Sequence, residues 1–303
     1  MEIVETQNFI GENKISILEL YNNKPLIEKT GIEYVYETKN SSIDLAYKAC
    51  KKIKNYENTL IKLCVLVTQT PDDFLPANSI KLSEKLKLPK NCLTFDINQG
   101  CSGFVQAFCV LDKLIKFYDH TLLVTVDKYR SKLNRNDRST NAVFSDGATA
   151  SLISSKGKNK ILFEDHYTDG SKRDLLYQST KKSENNGFLH MSGADIWMFT
   201  RIEVVPQIMK AIEFCERNKK KLCGIYMHQA SRVVVEGISK LLPVDDSLIF
   251  KTYSFYGNTV SSTIPFMFEK YPLKFNEKND VYIMAGFGVG LTSSVIVFGS
   301  NDD

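Results

Sequence analysis

The chain repeats one pattern of buried strands and amphipathic helices in its first and second halves. The apolar run that ends at 66–69 has a counterpart at 226–229, 160 residues later. The run TLLVTVD at 121–127 has a counterpart in DVYIMAGFG at 280–288, at nearly the same offset. A repeat of this length predicts two superposable α/β halves related by a pseudo-twofold axis. Two unrelated α/β segments with a similar rhythm are the alternative.

Continuous apolar strands separated by amphipathic helices are typical of a mostly parallel sheet that is covered on both faces. No Pro/Gly/Ser-rich linker separates the halves, and SSKGKNK at 154–160 is the best candidate boundary. We therefore predict an N-terminal half at 1–157 and a C-terminal half at 158–303. Residues 165–195 carry few helix or strand signals, which predicts an inserted surface excursion of the kind that covers a site.

Composition excludes several classes of protein. Hydrophobic residues make up 43% of the chain and charged residues 24%, a balance that excludes a disordered, collagen-like or coiled-coil protein. The formal net charge of +4 is too small to predict nucleic-acid binding. The seven cysteines form no C-x-x-C pair and most lie in apolar runs, so we predict neither a disulfide framework nor a metal site.

A signal peptide and a membrane span are the two sequence features that indicate where in the cell a protein resides. The N-terminal segment MEIVETQNFIGENK carries acidic residues and no apolar core, so we expect no signal peptide. The longest apolar run, near 281–298, is interrupted by Gly, Thr and Ser and falls short of the ~20 apolar residues of a membrane span. By elimination, we expect a cytoplasmic protein.

The motif DINQGCSGFVQAF at 96–108 places a cysteine between a strand and an apolar helix. Cys101 lies where that helix is predicted to start, and the positive end of a helix dipole favours a thiolate. Gly100 and Gly103 allow close approach of the backbone, and the amide of Cys101 is left free to donate. The arrangement predicts a nucleophilic thiol, whereas an isolated cysteine in such a place is more often a packing residue.

Three further motifs lie in the second half. His228 follows an apolar strand in IYMHQAS, which predicts it at the carboxyl edge of a sheet, where α/β proteins bind ligands. Asn258, in YGNTVSS, occupies the position that Cys101 has in the first half, and a helix N-cap is its alternative role. The glycines of MAGFGVGLTSS either free main-chain amides for an oxyanion or join two strands in a tight turn.

Taken in order, Cys…His-Gln-Ala…Gly-Asn-Thr…Gly-Phe-Gly-x-Gly-Leu-Thr resembles the β-ketoacyl-[acyl-carrier-protein] synthase III family, which has the thiolase fold. The resemblance implies an α/β protein with two duplicated halves in a five-layered αβαβα arrangement. It also outweighs the structural alternatives for the separate motifs, because further segments resemble the family in the same order along nearly the whole chain: KTGI (29–32), TQTPDDFLPANS (68–79), FSDGATASLI (144–153), DGSKRDLL (169–176) and MSGADIWMF (191–199).

The resemblance implies a role for each motif. Cys101 would accept an acyl group from a thioester, and the amides of Cys101 and Val289 would stabilise the oxyanion. His228 and Asn258 would donate hydrogen bonds to the thioester carbonyl of a malonyl group on the carrier protein. They would stabilise the enolate left by CO2, whose carbanion attacks the acyl-cysteine to give a 3-oxoacyl product. The substrates would be CoA or acyl-carrier-protein thioesters, with no cofactor and no metal.

The sequence departs from the family pattern at two of these motifs. Ser231 follows His-Gln-Ala where the family has Asn, and Pro25 lies near the position of a tryptophan that stacks on coenzyme A. Lys29 and Arg138 are then the expected contacts of that nucleotide. We accordingly expect that the donor can be an acyl-carrier-protein thioester instead of an acyl-CoA.

Channel and partner contacts follow from the same resemblance. Leu75 stands where the family has a bulky aromatic residue that enters the partner subunit's acyl tunnel, so a longer or branched chain is expected to fit. Trp197 is expected to line the acyl and pantetheine channel, with core packing as its alternative role. Basic residues at 127–138 and 217–221, together with Arg232, are candidates for a rim that steers an acidic carrier protein, although most such runs are solvated surface.

We therefore predict a homodimeric condensing enzyme of fatty acid or specialised acyl synthesis, with acyl carrier protein as its partner. No nucleic-acid partner and no membrane span are expected. A non-decarboxylating acyltransferase of the same fold, which moves the acyl group to an alcohol or amine, is the alternative function. A non-catalytic protein that only binds the carrier protein is the second alternative.

Overall fold

The structure is a computed structural model and describes residues 1–54, 57–179, 181 and 185–300. Its strands are β1 (Glu2–Ile10), β2 (Asn13–Ser16), β3 (Tyr34–Glu37), β4 (Leu63–Val67), β5 (Leu93–Ile97), β6 (His120–Asp127), β7 (Gly147–Ser154), β8 (Asn159–Thr168), β9 (Leu176–Gln178), β10 (Leu189–Met191), β11 (Lys221–Met227), β12 (Asp280–Gly288) and β13 (Thr292–Ser300). Its α-helices are α1 (Ile17–Tyr21), α2 (Lys24–Thr30), α3 (Ser42–Cys50), α4 (Asn78–Lys85), α5 (Gly103–Leu114), α6 (Arg138–Asn141), α7 (Gly193–Phe199), α8 (Val205–Arg217), α9 (Arg232–Ser239), α10 (Tyr253–Tyr256) and α11 (Thr263–Phe266).

Two sheets with the same strand order form the frame of the molecule. The first runs β1-β7-β6-β4-β5 and the second runs β8-β13-β12-β11, with a bridge from Ile225 to Ile249 in place of a fifth strand. Val65 pairs with Leu123 in the first sheet, and Ile225 pairs with Ile283 in the second. The strand register therefore repeats at the same 160-residue offset as the sequence. Two unrelated segments would not share both order and register.

Both sheets are mixed, so the prediction of mostly parallel sheets is wrong. β4 is parallel to β5 and β6, and β11 is parallel to β12. β7 and β13 are antiparallel to the strands on either side of them. In the second sheet, the short turn between β12 and β13 explains why these two strands are antiparallel, because parallel strands cannot be joined so tightly. Apolar runs cannot report strand direction once both faces of a strand are buried.

Five layers stack in the order helix, sheet, helix, sheet, helix, as the resemblance implies. α3 and α4 cover the outer face of the first sheet, and α8 and α9 cover the outer face of the second. α5 and α11 lie between the sheets, where Phe104 and Phe108 of α5 contact strands of both. A helix buried between two sheets is apolar on most sides, and each buried phenylalanine contributes roughly 1.5–3 kcal/mol to the free energy of unfolding. This central layer holds the segment that follows Cys101.

β7 ends at Ser154 and β8 begins at Asn159, so the chain passes from one sheet to the other within the predicted boundary segment. We propose the division into 1–157 and 158–303 on that basis. The predicted excursion at 165–195 contains the hairpin of β9 and β10, and its residues 180 and 182–184 lie outside the described residues. Among the described residues, no helix has the length and apolarity needed to cross a membrane.

Candidate active site

Cys101 lies in the turn between β5 and α5, two residues before the helix begins at Gly103. Its side chain packs against the end of β12, where a Cβ added to Gly288 would lie 3.0 Å from Cys101 Cβ and 3.1 Å from Sγ. Glycine at 288 is therefore what lets the thiol approach this strand. The thiol lines a cavity of about 330 Å³ together with Val260 and Val289.

The Cys101 side chain is buried, with 7% of the residue exposed. Burial, followed by the nearby Asp127 carboxylate, raises the pKa of the Cys101 thiol well above its usual value. Burial therefore acts against the resting thiolate that we predict from the start of α5, which begins two residues after Cys101. Acyl transfer to this group needs a neighbouring base to take its proton.

Two main-chain amides at the same cavity have no hydrogen-bond partner among the described residues, those of Cys101 and Val289. Val289 lies in the turn between β12 and β13, and its carbonyl accepts a hydrogen bond from Thr292 Oγ1 at 2.8 Å. The turn depends on Gly290, whose φ of 136° is a conformation that glycine adopts without strain. Free amides beside a thiol can bind an oxygen that becomes negatively charged. Their role as an oxyanion hole is a proposal.

His228 directly follows β11 and contacts β12 one residue before Gly288. Its ring lies edge-on to Phe287, with 5.5 Å between ring centroids. Nδ1 of His228 is 2.7 Å from Oγ1 of Thr263, and Nε2 has no partner among the described residues. Burial lowers the pKa of His228 to about 3, so the imidazole is neutral at physiological pH. One ring nitrogen is thus held by the protein while the other is available to a ligand.

Asn258 lies in the turn before the segment that leads into α11. Its Oδ1 accepts a hydrogen bond from the Val260 N–H at 2.9 Å, and its main-chain N–H donates to the Val143 carbonyl at 2.9 Å. The side chain caps no helix, so the N-cap role is excluded. With Oδ1 occupied, Nδ2 is left as the donor that a ligand can use.

Val260 connects the three predicted catalytic residues. Its N–H donates to Oδ1 of Asn258, as described above. Its carbonyl accepts a hydrogen bond at 3.1 Å from Oγ1 of Thr263, and the same hydroxyl contacts Nδ1 of His228. Its side chain lines the Cys101 cavity. Val260 has a φ of 57°, a left-handed conformation that β-branched residues rarely adopt and that concentrates at functional sites. Sequence reasoning missed Val260 and Thr263, since neither residue type carries a recognisable signal there.

A second cavity of about 520 Å³ adjoins the first, and Phe144 is a wall of both. It is lined mainly by α2, α6, α7 and the start of α9. Lys29 and Arg138, predicted to contact the nucleotide, and Trp197, predicted to line the channel, share this cavity with Asn258 and Ser231. Their contacts with a bound thioester are a proposal.

Residues 95–170 match the family model described as 3-Oxoacyl-[acyl-carrier-protein (ACP)] synthase III, and residues 215–299 match the model of its C-terminal part. The two matches together span more than half of the chain and include the cysteine, histidine and asparagine described above. This chain belongs to the 3-oxoacyl-[acyl-carrier-protein] synthase III family.

Relatives of this synthase III chain match it along almost its whole length. The beta-ketoacyl-[acyl-carrier-protein] synthase III of Streptococcus agalactiae serotype III (strain NEM316) is 29% identical over 308 residues, which cover 95% of this chain and 94% of the relative. The solved 3-oxoacyl-[acyl-carrier-protein] synthase III from Aquifex aeolicus VF5 superposes with a TM-score of 0.86 at 24% identity, covering 98% of this chain and 99% of that one. A solved 3-oxoacyl-(acyl-carrier protein) synthase from Burkholderia xenovorans LB400 superposes with a TM-score of 0.88 at 24% identity, and the match covers 99% of this chain and 94% of that one. The fold is thiolase-like, as predicted.

Three predicted contact residues of the synthase III chain lie outside both cavities. Leu75 is 86% exposed and does not reach the cavity of its own chain. Arg232 ties α9 to α2 through a hydrogen bond from Nη1 to the Glu28 carbonyl at 3.0 Å. Arg130, counted in the basic run 127–138, is fully buried and donates to a main-chain carbonyl. Arg130 therefore cannot belong to a surface rim.

The excursion contributes one wall of the Cys101 cavity, as expected of a segment that covers a site. Opposite it lie two polar residues that sequence reasoning did not single out, Gln69 after β4 and Tyr129 after β6. The carboxyl ends of these parallel strands meet at one edge of the first sheet, which is the signal that could have found them. The excursion residues at the cavity are Arg173, Leu176, Tyr177, Gln178 and Leu189.

We expect Gly288→Ala to slow acyl transfer to Cys101 by about tenfold to a hundredfold, because the added methyl group displaces the thiol by a few tenths of an ångström. Intact-mass spectrometry of the acyl adduct against time gives the rate. Gly170→Ala is the matched control, since a Cβ at Gly170 meets nothing within 4 Å. An unchanged rate in Gly288→Ala would show that the close contact is unimportant for the nucleophile.

Proposed function

We propose that this chain is a β-ketoacyl-[acyl-carrier-protein] synthase III, an acyltransferase that carries out a decarboxylative condensation. An acyl group passes from a thioester to Cys101 and is then joined to malonyl-[acyl carrier protein] with loss of CO2. The observation that carries the proposal is the connection of Cys101, His228 and Asn258 through Val260. The thiol lines the first cavity, the amide donor lines the second, and the neutral imidazole is linked to Val260 through Thr263; these three groups are the ones that this reaction requires.

In the first step, the Thr263 hydroxyl donates to the Val260 carbonyl, so Nδ1–H of His228 donates to Thr263 and Nε2 carries a lone pair. Nε2 takes the proton of the Cys101 thiol, and the thiolate attacks the carbonyl carbon of the donor thioester. The amides of Cys101 and Val289 stabilise the oxyanion. The intermediate then expels the donor thiolate, which receives the proton from Nε2.

Before the second step, proton exchange with solvent water removes the proton from Nδ1 of His228 and places one on Nε2, and the Thr263 hydroxyl rotates and donates to Nδ1. Nε2–H of His228 and Nδ2–H of Asn258 donate to the thioester carbonyl of the malonyl group. The C–C bond to the carboxylate breaks, CO2 leaves, and its electron pair forms an enolate that the two donors stabilise. The enolate carbon attacks the acyl-cysteine carbonyl, the bond from Sγ to the acyl carbon breaks, and the expelled Cys101 thiolate takes up a proton from solvent water to restore the thiol.

Thr263 is thus a positioning residue that serves both tautomers of His228. Thr263→Val keeps the shape and removes the hydroxyl, and we expect it to lower kcat about tenfold or more with little change in KM. Thr263→Ser should restore most of the rate, because it restores the hydroxyl. Steady-state kinetics from pH 5 to 8 are the measurement, and the wild type should show no acidic loss from His228 because its pKa is about 3. A Thr263→Val enzyme with normal kcat, or one that Ser does not rescue, would contradict the role.

We propose a homodimer in which Leu75 reaches the partner. β5 is an edge strand whose Leu93 is 43% exposed, and the neighbouring loop exposes Phe74 and Leu75 by 85% and 86%. An unpaired edge beside large exposed apolar residues is typical of a surface that another chain covers. Lys29 and Arg138 at the second cavity support an anionic CoA or acyl-carrier-protein thioester as donor. We expect no cofactor, and a cytoplasmic location stays a prediction.

A panel of acyl-CoA and acyl-carrier-protein thioesters tests the proposal. The purified protein is incubated with each donor, and its intact mass is recorded. We expect one acyl adduct with at least one donor. Addition of malonyl-[acyl carrier protein] should then discharge the adduct and yield the 3-oxoacyl product. Failure of every donor to form an adduct would overturn the proposal.

A further inference from the structure

The Cys101 cavity has a polar wall that the proposed chemistry does not use. Gln69 follows β4 and places its carboxamide against Gly100, where an added Cβ would lie 2.4 Å from Gln69 Oε1. The missing side chain of Gly100 is therefore what admits the carboxamide next to Cys101. Tyr129 donates a hydrogen bond from its hydroxyl to Gln69 Oε1 at 3.2 Å. Both side chains line the cavity that contains the thiol.

This carboxamide is fixed but incompletely paired. The main-chain N–H of Gln69 donates to Asp127 Oδ1 at 2.9 Å, and Oε1 is occupied by Tyr129, whose residue is only 6% exposed. The Nε2 group has no hydrogen-bond partner among the described residues. Two N–H donors thus remain on a residue that borders the space where the acyl group on Cys101 must lie.

The free donors discriminate between acyl groups. An alkyl chain that filled the cavity would strip water from Nε2 and leave its N–H groups unpaired, which is costly in a buried site. A chain with an oxygen beside the carboxamide would accept the hydrogen bond instead. A site built to bind a polar group strongly disfavours the analogue that lacks it.

We propose that the acyl group loaded onto Cys101 carries a hydrogen-bond-accepting oxygen, as a hydroxyacyl group does, and that Gln69 recognises it. The inference rests on the proposed function and names its donor substrate class. In the loading step the thioester bond of the donor breaks, the bond from Sγ to the acyl carbon forms, and the thiol proton leaves with the donor thiol.

The test compares butyryl-CoA with the two enantiomers of 3-hydroxybutyryl-CoA, which differ from it by one hydroxyl group. The rate of adduct formation on the full chain is followed by intact mass. We expect one enantiomer to load at least about tenfold faster than butyryl-CoA in the wild type, the gain of one well-placed hydrogen bond. Gln69→Met, which keeps the length and removes the amide, should abolish the preference. Gln7→Met makes the same change on β1, outside the cavity, and should retain it.

The outcomes are distinguishable. Butyryl-CoA loading as fast as both hydroxyacyl donors in the wild type would overturn the inference and leave the proposed function standing. A preference that persists in Gln69→Met would also overturn the role of Gln69. If that variant does not fold, the wild-type comparison still decides the substrate class, and Tyr129→Phe tests the carboxamide through its partner, with a reduced preference expected. No adduct with any of the three donors, or with the wider panel, would overturn the proposed function and this inference with it.

Discussion

Cys101→Ala is expected to form no acyl adduct from any donor and to lower 3-oxoacyl production by at least about a thousandfold. The reason is that the enzyme would lose the only cysteine at the cavity, among the described residues, that can carry the acyl group between the two steps. His228 and Asn258 keep their partners in the variant, so slow release of CO2 from malonyl-[acyl carrier protein] should persist. Intact mass and product chromatography measure the two effects.

Cys223→Ala is the matched control for this experiment. Cys223 is a half-buried free cysteine on β11 and does not line either cavity, so its variant should load and condense as the wild type does. An adduct that persists in Cys101→Ala would contradict the assignment of the nucleophile. Loss of the adduct in Cys223→Ala would contradict it as well.

Asn258→Asp is expected to lower condensation by about a hundredfold to a thousandfold, the usual cost of removing one oxyanion donor. The aspartate keeps Oδ1 as acceptor for the Val260 N–H, so the turn is preserved. It replaces the Nδ2 donor with a negative charge, which repels the developing enolate. Loading of Cys101 uses other donors and should change by only a few fold.

Separate measurement of the two steps decides this prediction. Adduct formation is followed by intact mass, and discharge of the pre-formed adduct is followed after malonyl-[acyl carrier protein] is added. Asn40→Asp introduces the same charge on the surface, where Asn40 binds Glu12 and Thr38, and is the control for net charge. Equal losses in loading and in discharge would show that Asn258 maintains the structure of the site instead of stabilising the enolate.

The sequence repeat predicted the two similar sheets, because buried strands leave continuous apolar runs in the sequence. Runs at the same spacing in the two halves correspond to strands that pair in the same register. The pairing of Val65 with Leu123 and of Ile225 with Ile283 follows that repeat directly. Strand direction was not predicted correctly, since a fully buried strand looks the same in either direction. Residues 1–54, in which the structure has three strands and three α-helices, gave no usable pattern in the repeat argument.

The motifs singled out Cys101, which lines the first cavity, and Asn258, which lines the second, but not the contacts that hold the site residues in place. His228 depends on Thr263, 35 positions later, and that contact exists only because β11 and α11 meet in the fold. Val260 acts through its main chain, which a side-chain pattern does not reveal. The burial that raises the pKa of the Cys101 thiol could not be predicted, because burial is a property of the assembled layers.

One departure from the family pattern takes on a physical meaning in the fold. Ser231 lines the second cavity together with Asn258, so its exchange for the family's Asn changes a wall of that cavity and leaves Cys101, His228 and Asn258 in place.

The release of labelled CO2 tests the central proposal most directly. The protein is first loaded with an acyl group on Cys101, freed of donor, and then mixed with malonyl-[acyl carrier protein] labelled in its free carboxylate. We predict one labelled CO2 and one 3-oxoacyl-[acyl carrier protein] for each adduct discharged. Discharge of the adduct to an alcohol or amine acceptor, without labelled CO2, would contradict the condensation and establish the acyltransferase instead.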